Sequence, residues 1–305
     1  MSLLPPPVRD GVEDALARLG VHGIRRVVPV SGGCINHGAR VDGDGRRSFF
    51  LKWNAAAPPR LFEAEADGLR ALGDAAALHV PAPVARGGGS GAPSWLLMEY
   101  IAPGRPVPDF DERLGGGLAA LHRSAPPDAD FGWHVDNWIG SLPQSNRSGR
   151  SWAAFWRDER IVPQLATARE NGHLAGTRGA TMDRVVEAIP AALADVDGGP
   201  VHLLHGDLWS GNAYAGPGGE PVIIDPAVYL GHGEVDLAMT ELFGGFGPVF
   251  YAAYEDVAGI TPAYRAYRRE LYQLYYLLVH VNLFGEAYGA RALHAAERVL
   301  SEVGT

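Results

Sequence analysis

The chain has 305 residues, of which 47% are hydrophobic, and a mass of 32.5 kDa. It can therefore form a sizeable core, and it is near the length at which one core divides in two, so we expect two lobes. The formal net charge of -9 argues against a nucleic-acid partner, whose phosphates attract basic surfaces.

Targeting signals are not evident in the sequence. The start of the chain is proline-rich and too short for a signal-peptide core, and the most apolar later stretch, residues 271–284, is interrupted by polar residues. The single cysteine, Cys34, excludes an internal disulfide framework and a cysteine-built metal site, which suits a reducing compartment. We therefore expect a cytoplasmic protein with no membrane partner.

The first part of the chain predicts a small sheet. A short helix is predicted at residues 10–19, and strands are predicted at 26–30 and 48–53. Between the two strands lies a turn that contains Gly32, Gly33 and Cys34. Its glycines could bring backbone N–H groups onto phosphate oxygens, but an ordinary hairpin turn explains the segment as well until Lys52 is considered.

Lys52 is the only lysine, since the other 25 of the 26 basic residues are arginine. A lysine offers a compact charge where arginine offers a planar fork, and the two are not exchangeable at a tight phosphate site. In the helix predicted at 59–72, Glu65 lies on the apolar side with Phe62 and Leu69. We predict that Glu65 pairs with Lys52 and aims it at nucleotide phosphates; the alternative is that Glu65 reaches water at the edge of that face.

An apolar strand at 95–98 ends in turn residues, and its unpaired backbone groups around Glu99 and Ile101 could bind an adenine edge. We therefore predict a nucleotide-binding lobe at residues 1–98, a hinge at 99–104 and a helical lobe at 105–305. Helices are predicted at 151–170, 181–194 and 264–284. The loop at 131–146 mixes aromatic and amide residues, and facing a ligand or packing on itself explain it equally well.

Residues 205–212, which read His-Gly-Asp-Leu-Trp-Ser-Gly-Asn, lie between two apolar runs, and Asp225 ends the second run. In phosphoryl transfer, one aspartate accepts the proton of the hydroxyl group, while an asparagine and a second aspartate hold the metal. Asp207, Asn212 and Asp225 have this order and spacing. Asp236 is interpreted as a structural acid that holds the backbone of this loop, and His122 as a packing or capping residue.

The sequence resembles the fructosamine kinase, or ketosamine-3-kinase, family over nearly its whole length. The matching segments include residues 205–212, Ile-Asp-Pro-Ala at 224–227, Gly-His-Gly-Glu-Val-Asp-Leu-Ala at 231–238 and Phe-Gly-Gly-Phe at 243–246. The resemblance implies an α+β, two-lobed, protein-kinase-like fold, related to the aminoglycoside phosphotransferases, with a small β-sheet N-lobe and a mostly helical C-lobe.

The resemblance also implies ATP-dependent, Mg²⁺-dependent phosphorylation of the 3-hydroxyl of a ketosamine, either a small molecule or a glycated amine or protein. It implies that Asp207 is the base, that Asn212 and Asp225 hold Mg²⁺, and that Trp209 faces the sugar. His280 and Asn282 are further substrate candidates. The family's cysteine matching Cys34 is associated with disulfide-linked dimers, so either a monomer or a Cys34-linked homodimer is expected.

Two other functions stay open at this point. An aminoglycoside, choline or other small-alcohol kinase would have the same fold and would phosphorylate such alcohols but not ketosamines. A catalytically silent nucleotide-binding regulator is the alternative outside enzymes. The presence of Lys52, Glu65, Asp207, Asn212 and Asp225 together argues against the regulator.

Overall fold

The computed structural model describes residues 4–30, 35–89 and 91–304. Within them, a five-stranded antiparallel sheet has the order β1-β2-β3-β5-β4. Its strands are β1 (Ile24–Pro29), β2 (His37–Gly43), β3 (Ser48–Asn54), β4 (Pro83–Gly89) and β5 (Ala92–Glu99). The helices α1 (Pro6–Arg18) and α2 (Leu61–Asp74) pack against this sheet.

Alternation along β3 decides which side chains face which helix. Phe49, Leu51 and Trp53 lie in a core cluster with the apolar face of α1. Because successive side chains of a strand point to opposite faces, Phe50 and Lys52 face the other side, where α2 packs. The sequence thus places its only lysine on the side of the sheet that faces α2 and the rest of the chain.

The remainder of the described chain is mainly helical. It contains α3 (Phe110–His122), α4 (Trp152–Phe155), α5 (Val162–Glu170), α6 (Thr177–Ala192), α7 (Glu234–Leu242), α8 (Pro248–Ala258), α9 (Arg269–Phe284) and α10 (Gly289–Val303). One continuous core cluster joins these helices to the apolar face of α2. No helix of the described residues is long and apolar enough to cross a membrane.

The helix predicted at 151–170 is interrupted. A π-helical segment, Trp156–Ile161, separates α4 from α5, which has Pro163 in its first turn. Since proline has no N–H group, it cannot make the regular i to i−4 hydrogen bond, and the helix changes its register just before it. A second π-helical segment, Tyr264–Arg268, precedes α9 within the helix predicted at 264–284.

In the part of the chain that the structure describes, three two-stranded ribbons lie among the helices. In sequence order their strands are β6 (Asn137–Ile139), β7 (Leu142–Gln144), β8 (His202–Leu204), β9 (Ala213–Ala215), β10 (Pro221–Ile223) and β11 (Tyr229–Gly231). β6 pairs with β7, β8 with β11, and β9 with β10. The turn at 205–212 therefore connects β8 to β9, and Asp225 lies between β10 and β11, so the ribbons bring the two polar segments together.

Candidate active site

A cleft with a volume of about 850 Å³ lies between the sheet and the helices. Lys52 and Glu65 line it from the side of the sheet and α2. Asp207, Asn212 and Asp225 line it from the two-stranded ribbons. Five polar residues that are spread over more than half of the sequence therefore share one concave surface.

Lys52 lies at the centre of this polar group and is only 8% exposed. Its Nζ donates to Glu65 Oε1 at 2.5 Å and to Asp225 Oδ1 at 2.7 Å. Burial alone would lower the pKa of Lys52, but the carboxylates of Asp225 and Glu65 hold it above its ordinary value. The predicted pairing of Lys52 with Glu65 is present, and the lysine remains a cation that is fixed between two carboxylates.

Asp236, at the start of α7, holds the backbone of the turn at 205–212. Its carboxylate accepts the backbone N–H of His205 at 2.8 Å and that of Gly206 at 2.9 Å. His122 Nε2 lies 3.1 Å from the same carboxylate, and His122 Nδ1 lies 2.7 Å from the hydroxyl of Tyr254. Asp236 therefore supports the backbone of the turn, and His122 is a buried packing residue, as the sequence predicted.

Asp207 is partly buried at the mouth of this turn. Burial and the neighbouring carboxylates of Asp225 and Asp236 raise the pKa of Asp207 to about 7. The preceding Gly206 has a φ of +81°, and a Cβ there would lie 2.1 Å from the carbonyl oxygen of Ala227. Only glycine fits this position, so the turn presents Asp207 to the cleft in one defined conformation.

Asn212 and Asp225 offer oxygen atoms next to Asp207. The Asn212 side-chain amide donates to the backbone carbonyls of Asp207 at 2.8 Å and Asp225 at 3.5 Å, which leaves its Oδ1 as an acceptor. Asp225 has a φ of +56°, a left-handed conformation that is costly for most residues and is found at functional sites. Its side chain is 41% exposed.

These two residues fit a magnesium ion. Mg²⁺ takes oxygen ligands and commonly uses one or two protein groups together with phosphate oxygens and water. A carboxylate and an amide oxygen beside a cleft that also contains a buried lysine match that pattern. The described residues contain no group of three or more His, Cys, Asp or Glu side chains arranged to hold a metal by themselves, so phosphate oxygens and water would supply the remaining ligands.

The predicted hinge residues lie at the end of β5, and both line the cleft. The backbone N–H of Glu99 donates to Ala82 at 2.8 Å and is therefore occupied. The carbonyl of Ile101 accepts the hydroxyl of Tyr214 at 3.0 Å, whereas its N–H has no hydrogen-bond partner within the described chain. The structure thus leaves the Ile101 N–H available to a ligand.

The three predicted substrate residues have different positions. Trp209 and His280 line the cleft, and Trp209 is 36% exposed. Asn282 does not line it: its amide donates to the side chain of Gln164 at 2.8 Å and to the backbone carbonyl of the same residue at 3.0 Å. Because residues two apart on a helix point in nearly opposite directions, His280 and Asn282 cannot both face the cleft.

The predicted phosphate-binding residues Gly32, Gly33 and Cys34 lie outside the described residues. Their predicted role in nucleotide binding stays a prediction, as does the Cys34-linked dimer. Ile35 and Asn36, which follow directly, line the cleft.

Several supporting residues escaped the sequence analysis or were left undecided by it. The hydroxyl of Tyr276 on α9 donates to the carbonyl of Gly206 at 2.8 Å. In the sequence, Tyr276 is one of many apolar or aromatic positions in that helix, and nothing there indicates this contact. In the loop at 131–146, Asn137 donates to the carbonyl of Val228 at 2.7 Å, and Gln144 donates to Asn137 at 2.7 Å. Residues of this loop hydrogen-bond to one another, and residues 137–140 line the cleft. Each of the two interpretations of the loop therefore describes part of it.

The comparisons with known proteins agree with this geometry. The profile of the fructosamine kinase family matches residues 15–302. A Synechocystis sp. protein named "Probable ketoamine kinase" is 44% identical over 273 residues, which cover 89% of each chain. The protein-ribulosamine 3-kinase, chloroplastic, of Arabidopsis thaliana is 39% identical over 272 residues, which cover 88% of this chain and 81% of that protein.

Solved structures show the same fold. A Haemophilus somnus 129PT protein assigned as a fructosamine-3-kinase superposes with a TM-score of 0.85 at 26% identity, covering 95% of this chain and 97% of that one. A thermostable mutant of the aminoglycoside phosphotransferase APH(4)-Ia, in its complex with AMP-PNP and hygromycin B, has a TM-score of 0.62 at 18% identity, covering 97% of this chain and 100% of that one. The fold is thus the predicted α+β, protein-kinase-like one, and the chain belongs to the fructosamine kinase family.

Proposed function

We propose that this protein is an ATP-dependent ketosamine 3-kinase that transfers phosphate to the 3-hydroxyl of sugar-amine adducts and thereby takes part in deglycation. One observation carries the proposal: Lys52, Glu65, Asp207, Asn212 and Asp225 share one cleft, with the lysine held between two carboxylates. The relatives named ketoamine kinase and protein-ribulosamine 3-kinase support the choice of acceptor. An aminoglycoside or choline-like kinase is not favoured by these relatives.

The residues divide the work of phosphoryl transfer. Asp207 accepts the proton of the acceptor hydroxyl, and a pKa of about 7 suits a group that takes up a proton near neutral pH. Lys52 binds phosphate oxygens while Glu65 keeps its side chain in place. Asn212 Oδ1 and the Asp225 carboxylate would hold Mg²⁺, which when bound neutralises the charge that develops on the transferring phosphate.

The nucleotide would occupy the end of the cleft near β5. The N–H of Ile101, which has no partner among the described residues, and the backbone carbonyl of Glu99 are suited to an adenine edge, and Met98 provides an apolar contact. Tyr214 fixes the carbonyl of Ile101 and so orients this segment. We further propose a nucleotide-binding lobe at residues 1–98, a hinge at 99–104 and a helical lobe at 105–305. We also propose that the protein is cytoplasmic.

Product analysis tests this function directly. The purified protein is incubated with Mg·ATP and ribulosyl-lysine or fructosyl-lysine, and phosphorus NMR locates the new phosphate group. We expect a phosphomonoester on O3 of the sugar. The absence of product with every ketosamine tested would refute the proposal, and turnover of aminoglycosides or choline instead would replace the acceptor class.

The role of Asp207 separates an enzyme from a silent regulator. Asp207→Asn keeps the shape of the side chain but removes the base, so we expect kcat to fall by about 10²- to 10⁴-fold. Binding of a non-hydrolysable ATP analogue, measured by calorimetry, should persist. Unchanged turnover in the variant would show that Asp207 is not the base.

A further inference from the structure

One end of the cleft has a wall built from aromatic rings, and the proposed chemistry does not use most of them. The aromatic wall consists of Trp209, Phe243, His280, Phe284 and Tyr288, all of which line the cleft. Its ring centroids form a continuous series, with Trp209–Phe243 at 6.5 Å, Phe243–His280 at 4.9 Å, His280–Tyr288 at 4.9 Å and His280–Phe284 at 5.5 Å.

The aromatic wall exposes an unusual amount of apolar surface. Trp209, Phe243 and Phe284 are 36%, 38% and 52% exposed, and they are the three aromatic residues among the exposed large hydrophobic side chains of the described chain. All three lie in the same concave surface. Because exposed apolar surface is costly and is usually retained where a ligand covers it, this concentration indicates a binding surface.

The position of the aromatic wall relative to Asp207 indicates which part of a substrate it meets. On α9, Tyr276 contacts the catalytic turn through Gly206, and His280 and Phe284 follow on the same helical face. At a rise of about 1.5 Å per residue, His280 lies roughly 6 Å and Phe284 roughly 12 Å further along the helix axis. The aromatic wall thus extends along α9 away from the turn that carries Asp207, so it would contact a part of the acceptor other than the reacting hydroxyl.

The charges of the residues that line the cleft restrict which substituents the aromatic wall can bind. Among the described residues of the cleft, the carboxylates are Glu65, Glu99, Asp207 and Asp225, which belong to the lysine pair, the end of β5 and the catalytic segments. The aromatic wall contributes no carboxylate. A substituent with several ammonium groups would find no counter-charge there, whereas an aryl or alkyl group would bury apolar surface against the rings.

Neighbouring contacts hold two of these rings, Phe243 and His280, in place. The guanidinium of Arg291 lies 5.6 Å from the ring centre of Phe243, and it donates to the carbonyl of Leu242 at 2.9 Å. His280 Nδ1 lies 2.8 Å from the carbonyl of Tyr276, and burial lowers the pKa of His280, which favours the uncharged form of the ring. Phe243 and His280, at the centre of the aromatic wall, are therefore positioned before a ligand binds.

We infer that the aromatic wall is a subsite for the substituent on the nitrogen of the ketosamine, and that it selects aryl and alkyl amines, including the methylene chain of a lysine side chain, over small polar ones. This inference rests on the proposed ketosamine 3-kinase activity. It assigns Phe243, Phe284 and Tyr288 to substrate selection and leaves Trp209, two residues after Asp207, to the sugar, which is the role predicted for it from the sequence.

Two ribulosylamines that differ only in the nitrogen substituent test the subsite, one carrying 2-phenylethyl and the other 2-hydroxyethyl. At saturating Mg·ATP, we expect kcat/KM to be at least about tenfold higher for the phenylethyl substrate, since a hydrophobic pocket discriminates by such factors. Phe284→Ala and Tyr288→Ala should reduce this ratio by lowering kcat/KM for the phenylethyl substrate alone. The KM for ATP should not change.

Val249→Ala is the matched control, because Val249 is also an exposed apolar residue, at 53%, but does not line the cleft. Equal kcat/KM values for the two substrates, or an equal loss of both in the Phe284 and Tyr288 variants, would overturn the subsite while leaving the kinase activity intact. If neither ribulosylamine is phosphorylated, the proposed function itself fails, and the subsite fails with it.

Discussion

The indole N–H of Trp133 donates a hydrogen bond of 2.8 Å to the carboxylate of Asp67. Asp67 lies two residues after Glu65 on α2, and Trp133 belongs to the loop at 131–146, in which β6 lines the cleft. His134 Nε2 is 3.2 Å from the same carboxylate. Helix α2, whose Glu65 positions Lys52, is thereby bound to the loop at 131–146, which lines the cleft.

We expect Asp67→Ala to reduce kcat/KM for ATP by about fivefold, which corresponds to the loss of one hydrogen bond of about 1 kcal/mol. The reason is that α2 would hold Glu65, and hence Lys52, less firmly. Asp74→Ala is the control, because Asp74 is exposed at the end of the same helix. If steady-state kinetics give equal kcat/KM values for ATP in both variants, the hydrogen bond between Asp67 and Trp133 does not help to position Lys52.

Lys52→Arg keeps the charge but should lose most activity, by at least about a hundredfold in kcat/KM, since a misplaced group at the reacting centre costs about that much. A planar guanidinium cannot replace the ammonium group that reaches both Glu65 and Asp225 in a site that is 8% exposed. Arg25→Lys, at an exposed position of β1, makes the reverse exchange as a control. Near-normal rates in Lys52→Arg would show that the single lysine is incidental.

Gly206→Ala should abolish most activity, because a methyl group there would meet the carbonyl of Ala227 and the residue would be held at positive φ. The turn would have to shift, and Asp207 with it. Gly73→Ala is a matched control on α2, where a Cβ meets nothing within 4 Å, and it should be neutral or stabilising by about 0.5–1 kcal/mol. Activity and thermal unfolding of both variants check this prediction.

Acid should destabilise the fold through two histidines, the partly buried His202 and the buried His232. Burial, together with the neighbouring His122, lowers the pKa of His202 to about 4, and burial also lowers that of His232. An unfolded histidine takes up its proton near pH 6.5, whereas His202 in the folded protein stays neutral down to about pH 4. The stabilisation is therefore complete above pH 6.5 and is lost as the pH falls toward 4, at about 1.4 kcal/mol per pH unit for each such histidine.

Denaturant unfolding at several pH values measures this dependence. His202→Gln should flatten the fall in unfolding free energy between pH 6.5 and 4, because the group that titrates only in the unfolded state is removed. His294→Gln, at an exposed position of α10, should leave the slope unchanged. Identical slopes in the two variants would contradict a role for His202.

The sequence by itself determined the features that depend on local spacing. Asp207, Asn212 and Asp225 come from one turn and the strand end after it, and the apolar periodicity of α2 places Glu65 toward the core. A buried carboxylate requires a partner, and the chain offers one lysine, so the pair could be derived without coordinates. The roles of these residues in catalysis, like the glycine turn with Cys34 and the lobe boundaries, stay predictions.

Only the tertiary structure decided the features that combine distant segments. The rotation of α9 brings His280 to the cleft and turns Asn282 toward Gln164, which periodicity in a helix that is apolar on most sides cannot specify. The contact of Trp133 with Asp67 and the aromatic wall join residues from separate elements. Their side chains meet because of how the helices pack, and the spacing of residues along the sequence does not specify that packing.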